Sequence, residues 1–135
     1  MHPLVSLLFP DPRRHLPGSR WLNIAARTAH LAATGTLLGG HVFGADAATL
    51  MPLLWVALVS GAVMIAVELY PTAHWAHQVC ALFVYAKLAL LGLIPFAWDR
   101  RVPLLLAALV LASVGSHAPR RVRHYSVWYR RVMAD

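Results

Sequence analysis

Residues 47–70 read AATLMPLLWVALVSGAVMIAVELY, and Glu68 is the only charged side chain among them. About 20 apolar residues at ~1.5 Å per residue cross the ~30 Å hydrocarbon layer of a bilayer as a helix. Breakers bound the run on both sides, Gly44-Ala45-Asp46 before it and Pro71-Thr72 after it. Asp46 is placed to cap the helix, and Pro52 falls in its first turns, where a missing amide costs little. The stretch therefore predicts a membrane-spanning helix. The whole chain agrees, since 59% hydrophobic and 13% charged content over 135 residues lies outside the range of soluble domains.

Working outward, the same punctuation predicts three more spans. The first covers about 21–44, with Trp21 at its inner boundary, and the third covers about 73–98, with Thr72 as N-cap and Trp98 at the outer interface. Pro103 opens a fourth span over about 102–118, and Pro119 closes it. Residues 1–20 hold Pro3, Pro10, Pro12 and Pro17, too many for a continuous helix, so an extended arm is expected with Leu7, Leu8 and Phe9 at the interface. Residues 120–135 mix five arginines with Val122, Tyr125, Val127, Trp128 and Tyr129, the composition of a surface-lying helix. The expected fold is all-α, an integral membrane four-helix bundle over 21–119 with a basic interfacial C-terminal segment.

Eleven of the twelve basic residues are arginine, and the formal net charge is +7. Arg13, Arg14, Arg20, Arg120, Arg121, Arg123, Arg130 and Arg131 flank the spans on one side, against Arg100 and Arg101 on the other. Eight against two predicts both termini on the cytoplasmic side of a bacterial inner membrane, with the tail on anionic headgroups. The charge flanks apolar runs and no nucleic-acid module is present, so nucleic acid is not an expected partner. The single cysteine, Cys80, excludes an internal disulfide. The apolar stretch Leu4 to Phe9 precedes Arg13 and Arg14 instead of following them, which is the wrong order for a signal peptide.

Ionisable side chains at membrane depth are expensive and call for a partner or a purpose. Arg27, His30, Thr34 and His41 stand at offsets 0, 3, 7 and 14, which puts them on one stripe of the first helix. His30 and His41 are roughly 16 Å apart along that helix and cannot share a metal, so a second ligand must come from another helix. Counting ~1.5 Å per residue from the inner boundary, His30 lies roughly 13 Å deep, His77 roughly 7 Å and Lys87 roughly 22 Å. With helix tilt, His30 and His77 reach one iron, and His41 and Lys87 are alternatives toward the outer side. Arg27 and His117 suit propionates, the guanidinium by its planar fork. Glu68 is expected to pair with an arginine or with His74. Imidazole suits haem iron and copper alike, and Gly35, Gly39, Gly40 and Gly44 serve either close helix packing or room for a macrocycle. Histidines can also simply bond across helices to hydroxyls and carbonyls.

The run Ala29-His30-Leu31 followed by Gly39-Gly40 resembles the first helix of the four-helix membrane protoporphyrinogen oxidases, which resemble the copper resistance D family in turn. Tyr85-Ala86-Lys87-Leu88-Ala89-Leu90, with Asp99-Arg100 beyond it, is similar to the lysine-bearing helix and following turn of both families. The resemblance covers residues 25–101. It implies a four-helix fold with b-type haem, His30 at the ligand position and Lys87 as the functional lysine. The chain departs by carrying His41-Val42-Phe43 where the oxidases have an arginine and a Tyr-His ending. The expectation is accordingly a small cytochrome-like protein or redox subunit holding haem b through His30 and His77 and exchanging electrons with a membrane or redox partner. Two alternatives stand beside it, a structural subunit of a larger membrane complex and a copper-handling membrane protein.

Overall fold

The computed structural model describes residues 8–10 and 12–132, so the expected interfacial placement of Leu7 and the last three residues of the tail lie outside the described residues. The described chain is mostly helical. It packs as two compact units, Met1–Thr72 and Ala73–Asp135, each built on one helix hairpin.

In the first unit, α1 spans Ser19–Phe43 and α2 spans Ala47–Leu69. Gly44 ends α1 because it takes φ 72°, a left-handed conformation that costs a side-chain-bearing residue strain, and its amide bonds the Gly40 carbonyl. Asp46 then restarts the chain as the N-cap of α2. Its carboxylate accepts from the Thr49 amide at 2.9 Å and from the Thr49 hydroxyl at 2.8 Å. The buried residues are four small ones and two leucines, with Ala26, Ala33 and Leu37 on α1 and Leu50, Ala57 and Ser60 on α2. A Cβ at Gly40 would run into the Leu50 side chain, so glycine there permits the close approach.

The second unit departs from the expected continuous span over 73–98. Ala73–His77 is a 3-10 turn, Gln78 is extended at φ −87° and ψ 156°, and α3 runs only over Val79–Leu93. Gln78 leaves the helical path because it bridges Ser126, and the His77 carbonyl accepts from the Val127 amide at 2.9 Å. At the other end Pro95 lacks the amide that would continue the ladder, so the chain tightens into 3-10 turns at Ile94–Phe96 and Trp98–Arg100. Next comes α4, Arg101–His117. Ala118 takes φ −57° and ψ 137°, the extended state forced on a residue before proline, and this stops the helix ahead of Pro119. A Cβ at Gly115 of α4 would lie 2.9 Å from Phe83 Cγ and 3.0 Å from Phe83 Cβ on α3.

The tail is not the surface-lying helix that its composition predicts. After the one-turn helix α5, Arg120–Arg123, it forms a hairpin of β1, Tyr125–Ser126, and β2, Arg131–Val132, with Tyr125 opposite Val132 and Ser126 opposite Arg131. The Tyr129 amide bonds Ser126 Oγ at 3.2 Å, and Arg130 closes the loop at φ 50°. Non-local pairing with Gln78 outweighs the weak helical preference of a short, β-branched and aromatic segment.

Two helices, Ala47–Leu69 and Val79–Phe96, are long and apolar enough to cross a membrane. Gly115→Ala is expected to lower stability in detergent by about 1–3 kcal/mol through overpacking, read as a shift in thermal or chemical unfolding. Gly92→Ala, where an added Cβ meets nothing within 4 Å, leaves stability unchanged or raises it. The Asp46 carboxyl is held below its ordinary range, first by the Thr49 amide and then by the Thr49 hydroxyl. A lowered folded-state pKa stabilises the fold above the unfolded value and ceases to do so as pH falls through the folded one. Asp46→Ala should therefore lower Tm at neutral pH, and the gap to the parent protein should close as pH drops below the carboxylate range.

Candidate functional site

His30 is the centre of the first unit. Its side chain is half-buried and reaches from α1 into a notch on α2, where Nδ1 lies 2.9 Å from the Ala57 carbonyl oxygen and 3.2 Å from Ser60 Oγ. Ser60 Oγ donates its own proton to the Val56 carbonyl at 2.6 Å, so toward His30 it accepts. Both partners of Nδ1 are thus acceptors. In the neutral ring the proton sits on Nδ1, and the lone pair sits on Nε2. This is how metal-binding histidines are commonly oriented, one nitrogen donating to a carbonyl and the other kept as ligand. Gly61 keeps the notch roomy, since a Cβ there would lie 3.2 Å from His30 Cε1 and 3.4 Å from Nδ1.

The rest of the predicted stripe is less uniform. Thr34 returns its hydroxyl to the His30 carbonyl on its own helix at 2.7 Å. His41 is half-buried in the last turn of α1. Arg27 is exposed, one position around from buried Ala26, and lies in a hollow with Arg20, Asn23 and Ile24. Among the described residues of its unit, Glu68 makes no hydrogen bond to an arginine. Its Oε1 accepts from Asn23 Nδ2 at 3.5 Å.

The other candidates lie in the second unit. His77 stands on the 3-10 turn ahead of α3 instead of a turn inside a span, so a depth counted along a helix does not apply to it. Its ring centroid is 5.9 Å from that of Trp128, and the His74 ring meets Tyr129 edge-on at 5.6 Å. Lys87 is half-buried within α3 and makes no hydrogen bond or ion pair among the described residues. His117 is exposed at the end of α4, where its Nδ1 lies 2.9 Å from the Ser113 carbonyl oxygen of its own helix. Among the described residues no three His, Cys, Asp or Glu side chains converge to hold a metal ion.

No family model, curated protein or solved structure matches this chain.

Two features of the site carry no signal in the residue spacing. Ala57 contributes a backbone carbonyl, which any residue supplies, while Ser60-Gly61 is the one polar-plus-glycine pair inside α2 and marks where the notch falls. A second polar cluster forms around buried Gln78, whose Oε1 lies 3.2 Å from His124 Nδ1 and 3.5 Å from Cys80 Sγ. Arg123 donates to His124 Nε2 from Nη2 at 3.3 Å and from Nε at 3.4 Å, which leaves Nδ1 as the donor to Gln78. Gln78 and His124 are 46 positions apart, so only the folded tail brings them together.

Nitrogen-15 NMR of histidine-labelled protein should show the His30 ring protonated at Nδ1 near neutral pH. Gly61→Val drives the ring from its notch and should abolish that tautomer preference.

Proposed function

We propose that this chain is an integral protein of the bacterial inner membrane, with α1 to α4 crossing the bilayer and both termini cytoplasmic, in which His30 is a ligand to b-type haem in a small redox subunit. Apolar surface supports the membrane placement. Trp55 on α2 is 61% exposed and Phe96 beyond α3 is 89% exposed, and only 17% and 6% of the two most apolar helical stretches are buried. Soluble proteins rarely leave contiguous apolar surface on this scale, and buried core helices show the opposite pattern. The eight-to-two division of flanking arginines supports the orientation.

One observation carries the haem reading. The Ala57 carbonyl and Ser60 hydroxyl hold the His30 proton on Nδ1, so the Nε2 lone pair is set for a metal before any metal arrives. The donor fits haem iron, which would take the neutral His30 imidazole as a ligand and would supply one-electron redox chemistry. Arg27, one turn before His30 on α1, would serve as a propionate partner. The resemblance of residues 25–101 to four-helix membrane protoporphyrinogen oxidases and copper resistance D proteins supports the same reading.

A second reading is favoured by the same bond. The Nδ1 contacts by themselves satisfy a donor between two apolar helices, so His30 serves equally as an interhelical clamp in a structural subunit of a larger complex. The two readings part on one preparation. Purified protein should show a b-type spectrum that changes on reduction with dithionite, and His30→Ala should remove it while helical circular dichroism persists. Colourless parent protein, with His30→Ala affecting only stability, overturns the haem reading in favour of the clamp.

A further inference from the structure

Lys87 is the ninth of the 18 residues in Val79–Phe96 and the only charged side chain among them. At ~1.5 Å per residue both ends of that stretch lie roughly 12 Å or more away, farther than a four-carbon stem carries an ammonium. Lys87 is half-buried and shares a helical stripe with half-buried Phe83 and Leu90. Phe83 lies against Gly115 of α4, so one turn on Lys87 stands at the seam between α3 and α4. It makes no hydrogen bond or ion pair among the described residues.

An unpaired ammonium at mid-span is costly and calls for a negative partner at the same depth. Its own unit does not bring one there. Among the described residues of Ala73–Asp135 the one carboxylate is Asp99, twelve positions on in the turn ahead of α4 and roughly 18 Å away along a helix. The chain's other acids also stand away from helix centres, since Asp46 caps α2, Glu68 comes one residue before its end, and Asp11 and Asp135 belong by sequence to the terminal segments. Lipid phosphates and fatty-acid carboxylates sit at the bilayer surface and do not reach mid-span. A carboxylate arrives at that depth when a helix that is apolar elsewhere carries it there. Leu82, Leu88 and Leu91, exposed on α3 around the lysine, offer apolar surface for such a helix to lie on.

We propose that the seam of α3 and α4 docks a membrane-spanning helix of another protein, one that carries an aspartate or glutamate near its midpoint and pairs that carboxylate with Lys87. The assignment rests on the reading that α3 and α4 span a bilayer, and it gives the chemistry of a partner in a larger membrane complex.

The test begins with alkaline washing of membranes that hold the full chain. Release of the protein would overturn the membrane reading and the docking site with it. Retained protein is then purified and reconstituted in phosphatidylcholine vesicles with a fluorescent leucine-alanine transmembrane peptide that has one aspartate at its centre. Energy transfer should show this peptide binding about tenfold tighter than peptides with a central asparagine or with the aspartate near one end. Lys87→Met should abolish the preference while helical circular dichroism persists, and Lys87→Arg should keep it. Equal binding of the three peptides, or a preference that survives Lys87→Met in membrane-retained protein, overturns the docking site alone. Binding that appears only after Glu68→Gln would show that the chain neutralises Lys87 itself, and it also overturns the proposal. Self-association of the protein that is lost on Lys87→Met would make the occupant a second copy and overturn the assignment to another protein.

Discussion

Alanine, serine and glycine, joined by Leu37, Leu50 and Phe83, fill the contacts between the paired helices. Small residues let paired helices associate through close backbone approach and the hydrogen bonds that approach allows. Ala26, Ala33, Ala57, Ala81 and Ala108 are all buried, while Trp55, Leu58 and Val59 of α2 face outward. His30 depends on this geometry. Its ring reaches a main-chain oxygen of α2 beside Gly61, where a Cβ would crowd the imidazole.

The same constraint explains how the polar side chains are distributed. Thr28, Thr34 and Thr36 turn their hydroxyls back to carbonyls three or four residues earlier on α1, so they satisfy themselves locally and cost little in an apolar surround. His30 and Gln78 do not. Each spends its hydrogen bonds on a distant segment, and each marks the place where its unit is held in register. A polar group that binds across elements selects one arrangement from several of similar packing energy.

Much of the helical architecture was legible because glycine and proline punctuate the sequence. The break at Gly44-Ala45-Asp46, with Asp46 as the cap, falls where the spacing predicts, and α4 stops ahead of Pro119. The third helix was misread at both ends for different physical reasons. Pro95 lies inside an otherwise apolar run, and its missing amide shortens the α-helix before the hydropathy falls. Gln78 is pulled into an extended state by Ser126, a partner 48 positions away that no local pattern announces. The tail differs from expectation for a similar reason, because Arg120 to Val132 has only a weak helical preference and takes its shape from pairing. Of the candidate site, His30 was legible as a polar residue at depth, whereas its partner on α2 is a carbonyl and carries no residue-type signature. His77 was legible as a histidine and misplaced as a helical one.

The bond from the Val127 amide to the His77 carbonyl, together with the bridge between Gln78 and Ser126, joins the strand of chain entering α3 to the strand leaving α4. The Arg14 amide and Pro71 carbonyl do the same for α1 and α2. Each hairpin is thereby a closed ring, and a ring that starts and finishes at one bond has to traverse any intervening sheet of lipid an even number of times. On the proposed membrane reading, in which α2 and α3 pass through a bilayer, α1 and α4 would make the return journeys. The parity holds even though α1 carries Arg27 and α4 has only 17 residues, so side-chain composition alone does not settle which helices cross.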